Sequence, residues 1–302
     1  MKKKICLLLL APILSLGIYS CGKKESQLED VDVVVISGQS NAVGCTHSDC
    51  ISSSISMEKY EEYTLGYPGI QIAYDCWTKD WPAGGITFYS QNKSRKNDFV
   101  KVTLGQGNGL TTFGPEIGIA EALHEKHDGK LFLIKFACGG SNLKDDWLKK
   151  TSPMYPRLIE YTKLQIYNLK SKGYKATIKA FCWMQGEGDS YPGYWNSYQD
   201  NLRTFVGNVR EDLKDYSGDK EIPFIDAGIS SYSEWQYYKE VNNAKAAFAE
   251  ESPNNFYIDT IAAGLHTDQE PFFNPDGAHY DSESQVLLGN LFAQHFEQFL
   301  IQ

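Results

Sequence analysis

A run of four β-branched residues, Val33 to Ile36, ends abruptly in the small and turn-forming sequence Ser37-Gly38-Gln39-Ser40-Asn41. A short, wholly apolar run bounded by turn residues is typical of a strand buried on both faces of a sheet. A tight turn from such a strand into a helix lifts the Ser40 hydroxyl off the sheet. It also directs the next backbone N–H groups toward whatever the hydroxyl attacks.

The same pattern recurs along the chain, where strand-like apolar runs alternate with segments of helical periodicity. Strands are predicted over residues 131–138, 177–184, 222–229 and 255–260, and helices over 115–127, 156–172, 194–213, 235–250 and 282–300. This alternation predicts one α/β domain over residues 31–302, a three-layer α/β/α sandwich with a mainly parallel central sheet. Ligands of such sheets bind at the carboxyl ends of the strands.

One long stretch, residues 45–112, departs from this alternation. It is rich in Gly, Ser, Tyr and Trp, and contains only two short strand candidates, at 85–91 and 99–104. Compact domains rarely contain so much irregular chain without a functional reason. We therefore interpret residues 45–112 as loops that contact substrate.

The first twenty residues are predicted to be a lipoprotein signal peptide. Three lysines, Lys2 to Lys4, precede the apolar stretch Ile5 to Ile18, and Ile18-Tyr19-Ser20-Cys21 resembles a bacterial lipobox. Cys21 would then carry the lipid, and residues 21–30 would form a polar tether. This predicts an exported, membrane-anchored protein in the periplasm or at the cell surface. An ordinary secretory signal with a chance cysteine is the alternative.

Charge and cysteine content exclude several classes of partner. The formal net charge of −9 disfavours binding to the phosphate backbone of nucleic acids. The seven cysteines include no pair or Cys/His cluster with the spacing of zinc ligands, so we expect no metal and no cofactor. Cys45 and Cys50 have a spacing that allows a short disulfide in an oxidising compartment.

Two further strand ends carry groups suited to stabilising negative charge. Gly139 and Gly140 follow the predicted strand 131–138, where they allow close backbone approach and offer unobstructed N–H groups. Gln185 follows strand 177–184, and its amide can donate to a developing oxyanion. Glu187, two residues later, is suited either to orient a histidine or to hold its own loop.

A candidate acid–base pair lies near the end of the chain, in Asp276-Gly277-Ala278-His279. Three-residue spacing in a turn lets the Asp276 carboxylate reach Nδ1 of His279, which leaves Nε2 as a base. The other five histidines have no such partner in the sequence. Together with Ser40, this pair has the outline of a nucleophilic hydrolase.

The full set of motifs resembles a known superfamily. Gly-Gln-Ser-Asn at 38–41, Gly-Gly-Ser at 139–141, Gln-Gly-Glu-x-Asp at 185–189 and Asp-x-x-His at 276–279 are similar to those of the SGNH (GDSL-like) hydrolases. The sialate O-acetylesterase and acetylxylan esterase branch is the most similar, over about residues 31–300. The resemblance implies a flavodoxin-like sandwich and a serine esterase that removes acetyl groups from acetylated carbohydrates through an acyl-enzyme.

The resemblance also implies a role for each motif residue. Ser40 matches the nucleophile, His279 the general base and Asp276 its acid, with Glu187 as the alternative acid. The oxyanion donors would be the Ser40 N–H, an N–H of Gly139 or Gly140, and the Gln185 side chain, although many members place Asn where Gln185 stands. We expect Gln39 and Asn41, on either side of Ser40, to contact substrate.

Two other interpretations fit parts of the sequence. Nineteen tyrosines and six tryptophans are compatible with a non-catalytic carbohydrate-binding lipoprotein. The Gly-Gln-Ser-Asn-Ala run also resembles the nucleophile elbow of α/β-hydrolases. In that fold, however, several strands precede the serine and the acid lies well before the histidine.

Overall fold

The computed structural model describes residues 28–95, 98–127, 131–150 and 152–301. The predicted signal peptide, Cys21 and most of the tether lie outside these ranges. Within them, no helix combines the length and the apolar character needed to cross a bilayer.

An eight-stranded sheet forms the centre of the described chain. The strands of the described chain are β1 (Glu29–Gly38), β2 (Thr46–His47), β3 (Ile70–Asp80), β4 (Thr87–Lys93), β5 (Val100–Lys101), β6 (Thr112–Phe113), β7 (Leu131–Gly139), β8 (Tyr174–Met184), β9 (Phe224–Ala227) and β10 (Asn255–Ile258). In the main sheet they follow the order β10-β9-β8-β1-β7-β3-β4, and β5 pairs with β3; a separate small sheet joins β2 and β6. Pairing is parallel from β10 through β3, whereas β4 and β5 are antiparallel to β3. The sheet is therefore mainly parallel, as predicted.

Helices cover both faces of this sheet. Nearly all side chains of β1 and all those of β7 are buried, which requires packing layers on both sides. The predicted three-layer α/β/α sandwich is thus confirmed. The helices are α1 (Ser40–Val43), α2 (Ser48–Ser54), α3 (Met57–Leu65), α4 (Glu116–Leu123), α5 (Met154–Ser171), α6 (Tyr198–Leu213), α7 (Tyr238–Ala249) and α8 (Ser282–Phe296).

The prediction of irregular loops over residues 45–112 is wrong in part. This stretch contains α2, α3 and the eleven-residue strand β3, which lies between β7 and β4 in the main sheet. Alternate residues Ile70, Ile72, Tyr74 and Cys76 are buried, so the strand has a period-two signal in the sequence. Polar residues between them and the preceding glycine-rich turn obscured that signal. The two short candidates correspond to β4 and β5.

The parallel register brings the candidate motifs to one edge of the sheet. Gly38, the last residue of β1, pairs with Ala137 of β7 and with Met184 of β8. The chain segments that follow these three strands therefore emerge side by side. Below them, the buried Lys135 ammonium donates to Glu116 Oε2 at 2.8 Å and to the Val43 carbonyl at 3.0 Å, which fixes the end of α1 to β7 and α4.

Candidate active site

The turn that carries Ser40 depends on a glycine. Gly38 has φ +141°, and a Cβ there would lie 1.9 Å from the Met184 carbonyl oxygen, so only glycine lets β1 and β8 approach this closely. Ser40 then begins α1 and is half-exposed. A helix start leaves the first backbone N–H groups without intrahelical partners.

Two unpaired N–H groups lie at this position. A Cβ built on Gly139 would be 3.9 Å from Ser40 Cβ, so the end of β7 is next to the serine. Among the described residues, neither the Ser40 N–H nor the Gly140 N–H has a hydrogen-bond partner. Gly139 is still paired with β3 as part of the sheet, whereas Gly140, at φ +70°, has left it. This geometry favours Gly140 over Gly139 as the donor.

Asp276 and His279 form the predicted pair. His279 Nδ1 lies 2.7 Å from Asp276 Oδ2, while Asp276 Oδ1 accepts the backbone N–H groups of Ala278 and His279 at 2.8 Å each. Burial favours the neutral carboxyl, but the hydrogen bonds from His279 outweigh it and lower the pKa of Asp276. The carboxylate holds the ring so that Nε2 is left to act as a base.

The imidazole itself has a strongly perturbed acidity. Burial opposes its charged form, but the hydrogen bond to Asp276 and the adjacent Cys45 thiol together raise the pKa of His279 to about 10. Cys45 lines a narrow cleft with His279 and Cys50. Both cysteines are free thiols, so the disulfide that their spacing allows is not formed.

The Asn41 side chain connects the turn after β1 to two distant loops, and the expectation that it contacts substrate is not supported. The side chain is 2 % exposed, and every polar atom is in use. Nδ2 donates to Glu187 Oε1 at 2.8 Å and to the Ala278 carbonyl at 3.3 Å, and Oδ1 accepts the Tyr280 N–H at 3.0 Å. The carboxamide is therefore buried and bonded to the protein through both its nitrogen and its oxygen.

These bonds explain how the two ends of the chain meet. Asn41 follows Ser40 directly, and its partners Ala278 and Tyr280 flank His279 on both sides. The Asn41 side chain thus fixes the backbone on both sides of His279 relative to the residue that follows Ser40. The Ser40 hydroxyl makes no hydrogen bond to the part of the chain that the structure describes.

Glu187 does not contact the imidazole. It is 1 % exposed, its Oε1 accepts the Asn41 amide, and burial raises the pKa of its carboxyl group. Of the two candidate acids, only Asp276 is hydrogen-bonded to His279. The position of Glu187 is that of a support beneath Asn41.

The expectation that Gln185 donates to the oxyanion is contradicted by its hydrogen bonds. Its side chain is fully buried, and its amide nitrogen donates to Asp189 Oδ2 at 2.7 Å and to Gln39 Oε1 at 3.1 Å. Both amide hydrogens are therefore taken. The reason is Asp189, a buried carboxylate four residues later that captures the amide.

Gln39 offers an amide in place of Gln185. Its Oε1 accepts from the Gln185 amide and from the N–H groups of Gly186 at 3.3 Å and Gly188 at 3.1 Å. Three converging donors fix which end of the amide is oxygen. Gln39 Nε2 makes no hydrogen bond to any described residue. Gln39 directly precedes Ser40 in the chain.

Some functional contacts had no signal in the sequence. Cys45 and His279 are more than two hundred residues apart, and only the fold brings them together. In the described ranges, no group of three or more His, Cys, Asp and Glu side chains is arranged to hold a metal ion.

Fold and site together define a hydrolase of the SGNH type: a mainly parallel sandwich with a serine, an imidazole and a carboxylate at the carboxyl edge of its sheet. The chain belongs to the family described as carbohydrate esterase, sialic acid-specific acetylesterase, whose sequence profile matches residues 30–298. This confirms the resemblance noted in the sequence and makes the protein a carboxylic ester hydrolase. No curated protein matches the chain.

Solved structures share the fold. A protein from Arabidopsis thaliana is 22 % identical with a TM-score of 0.61, over 89 % of this chain and 99 % of its own. NanS is 16 % identical with a TM-score of 0.62, and the match covers 91 % of this chain and 98 % of NanS. XAC1771, a carbohydrate acetylesterase from Xanthomonas citri, is 12 % identical with a TM-score of 0.56, and the match covers 88 % of this chain and 56 % of XAC1771. At these identities, the likeness concerns the fold alone.

Proposed function

We propose that the protein is a serine esterase that removes O-acetyl groups from carbohydrates through an acyl-enzyme. The observation that carries the proposal is the Nδ1–carboxylate bond of His279, which is bracketed by bonds from the residue after Ser40. Membership of a carbohydrate esterase family supports the same class of reaction. A purely binding protein has no need of an oriented base beside a half-exposed serine.

In the first half of the reaction, His279 Nε2 takes the Ser40 hydroxyl proton as Oγ attacks the acetyl carbonyl carbon. The carbonyl electrons move to oxygen, and the N–H groups of Ser40 and Gly140 stabilise that oxyanion, with the Gln39 amide as the side-chain donor. The ester C–O bond then breaks. The sugar hydroxyl leaves with the proton from His279, and the acetyl group remains on Ser40.

In the second half, water attacks the acetyl-serine. His279 takes a proton from this water, a second tetrahedral oxyanion forms in the same donors, and its collapse expels Ser40 Oγ, which regains the proton. Acetate is released and the enzyme returns to its starting state. Throughout, Asp276 stays ionised and keeps the imidazole in the productive tautomer.

The test is hydrolysis of p-nitrophenyl acetate and of acetylated saccharides by the wild type and by Ser40→Ala. We expect the variant to lose at least about 10³-fold in kcat. Ser53→Ala, an exposed serine in α2, is the matched control and should keep wild-type rates. Wild-type protein without turnover on any acetylated sugar would instead favour a carbohydrate-binding protein.

We also propose that the protein is an exported lipoprotein anchored through Cys21. The proposal rests on the lysine-rich start, the apolar stretch and the lipobox-like sequence. Metabolic labelling with a palmitate analogue should tag the wild type and not Cys21→Ala. Labelling of both proteins would contradict it.

A further inference from the structure

A second cavity opens beside the candidate active site. It has a volume of about 400 Å³ and lies between two loops, residues 230–233 and residues 261–268. These loops follow β9 and β10, which are parallel neighbours in the same sheet as β1. The cavity is therefore at the same edge of the sheet as Ser40. Its size is at the lower end of the range for small-molecule sites, roughly 300–1,000 Å³.

Tyr232 connects the cavity to the catalytic turn. Its ring packs against Gly277 so closely that a Cβ on Gly277 would lie 2.3 Å from Tyr232 Cε2. Gly277 stands between Asp276 and His279, so one side of the ring contacts the acid–base turn while the residue also lines the cavity. Trp235 holds the ring in place by an edge-to-face contact at 5.5 Å.

The opposite wall of the cavity is fixed to the same turn. The His266 carbonyl accepts the Asp281 N–H at 2.9 Å, and the His266 N–H donates to Ser284 Oγ at 2.8 Å. Asp281 and Ser284 lie at the start of α8, just beyond His279. The cavity therefore keeps a fixed position relative to the base.

The lining of the cavity indicates what it binds. Ser230 is 6 % exposed, and its hydroxyl has no hydrogen-bond partner although it is buried at the cavity wall. A buried polar group without a partner is costly unless a ligand or water satisfies it. Ser231, Thr267 and His266 add further donors and acceptors, and Asp268 adds an acceptor-only carboxylate. None of the described residues that line the cavity is a lysine or an arginine.

We propose that this cavity is a subsite for an uncharged sugar ring of the substrate, held next to the acetylated position. Hydroxyl and carboxylate groups bind the hydroxyls of a neutral sugar, and Tyr232 provides an apolar surface for its C–H face. A sugar that carries a carboxylate meets Asp268 without a lysine or arginine in the lining to balance the charge. The subsite rests on the proposed esterase function and makes the preferred substrate a neutral acetylated saccharide, not an O-acetylated sialic acid.

The experiment compares kcat/KM on three substrates: p-nitrophenyl acetate, methyl 6-O-acetylglucopyranoside and 9-O-acetylated N-acetylneuraminic acid. The wild type should prefer the neutral sugar ester over the sialic acid ester. In Ser230→Ala, the ratio of kcat/KM on the neutral sugar ester to that on p-nitrophenyl acetate should fall roughly 3- to 10-fold, the effect of one lost hydrogen bond.

A charge reversal tests the second part of the proposal. In Asp268→Lys, the ratio of kcat/KM on the sialic acid ester to that on the neutral sugar ester should rise roughly 3- to 5-fold. Asp215→Lys makes the same change in net charge after α6, away from the cavity, and should leave both ratios at the wild-type value.

The outcomes separate the subsite from the esterase function. If Ser40→Ala retains p-nitrophenyl acetate hydrolysis, the serine mechanism fails. If that hydrolysis depends on Ser40 but Ser230→Ala and Asp268→Lys leave both ratios unchanged, the subsite alone is wrong. A wild type that prefers the sialic acid ester also overturns the subsite.

Discussion

The loop after β8 and the turn before α8 both carry carboxylates, yet they do different things. In the loop, Gln185, Glu187 and Asp189 are at most 1 % exposed. In the turn, the side chains of Asp276 and His279 are 46 % and 28 % exposed. The loop has more residues of catalytic type, but the turn has the groups that a substrate can reach.

The buried loop is a connector between strands. Asp189 accepts the Leu143 N–H at 2.6 Å as well as the Gln185 amide, so it links the loop after β7 to the loop after β8. Burial raises the pKa of Asp189 to about 6, against the opposing effect of these hydrogen bonds. A conspicuous polar motif at a strand end can therefore be part of the framework that supports a less conspicuous one.

The largest expected effect comes from exchanging the two candidate acids for amides. Asp276→Asn should lower kcat by about 10³- to 10⁴-fold, because an amide no longer holds His279 in the productive tautomer. Glu187→Gln should lower kcat by at most about tenfold. It should also cost about 1–3 kcal/mol of unfolding free energy, because a new amide hydrogen is buried without an acceptor. Steady-state kinetics of both variants measure kcat, and chemical denaturation measures their free energies of unfolding.

The reverse order of kcat losses would assign the acid role to Glu187. Asp259→Asn neutralises an exposed carboxylate after β10. This control variant should retain wild-type kinetics.

A smaller difference is expected between the two glutamines. Gln39→Glu keeps an acceptor for the Gly186 and Gly188 N–H groups but replaces the unpaired Nε2 with an oxygen, so kcat should fall on the order of 10²-fold. Because residue 39 is buried, the new carboxylate should also lower the free energy of unfolding. Gln185→Leu should instead lose about 1–3 kcal/mol of stability while kcat stays within about tenfold. A stable Gln185→Leu with a 10²-fold loss of kcat would return the oxyanion role to Gln185.

The smallest expected effect is that of the Cys45 thiol on the pH dependence of the reaction. Catalysis needs neutral His279, whose pKa is raised to about 10, so kcat/KM should rise with pH through neutrality and into the alkaline range. Cys45 contributes to that rise in pKa, and Cys45→Ser should therefore move the ascending limb to lower pH and increase the rate at pH 7. Cys50→Ser is the matched control. Superimposable pH–rate profiles for wild type and Cys45→Ser would exclude the thiol from this role.

Much of the fold follows from the sequence because buried strands and amphipathic helices leave strong periodic signals. The runs at 131–138 and 177–184 predict β7 and β8 closely, since every residue at their carboxyl ends is apolar or small. By contrast, β3 was missed because polar residues, among them Gln71, Asp75 and the buried Lys79, interrupt its apolar positions.

The candidate site was predictable only in part. Asp276 and His279 are close in sequence, so a local turn sufficed to pair them. Asn41 and Gln185 were misassigned because a sequence does not reveal which amide hydrogens are already taken. Asn41 donates to Glu187, 146 residues away, and Gln185 donates both to the equally distant Gln39 and to the nearby Asp189. Ser230 and Tyr232 gave no signal, since their place beside the turn depends on the order of β9 and β10 in the sheet.

The hydrogen bonds of Asn41 to Ala278 and Tyr280 have a consequence for how the protein matures. The bond of Asn41 to Tyr280 joins residues 239 positions apart, so it forms only once both of these distant segments are present and in contact. A chain that ends before Asp276 would have the candidate nucleophile without its candidate base. We therefore expect hydrolytic activity during refolding to appear only after residues 276–279 have docked beside the segment that follows β1.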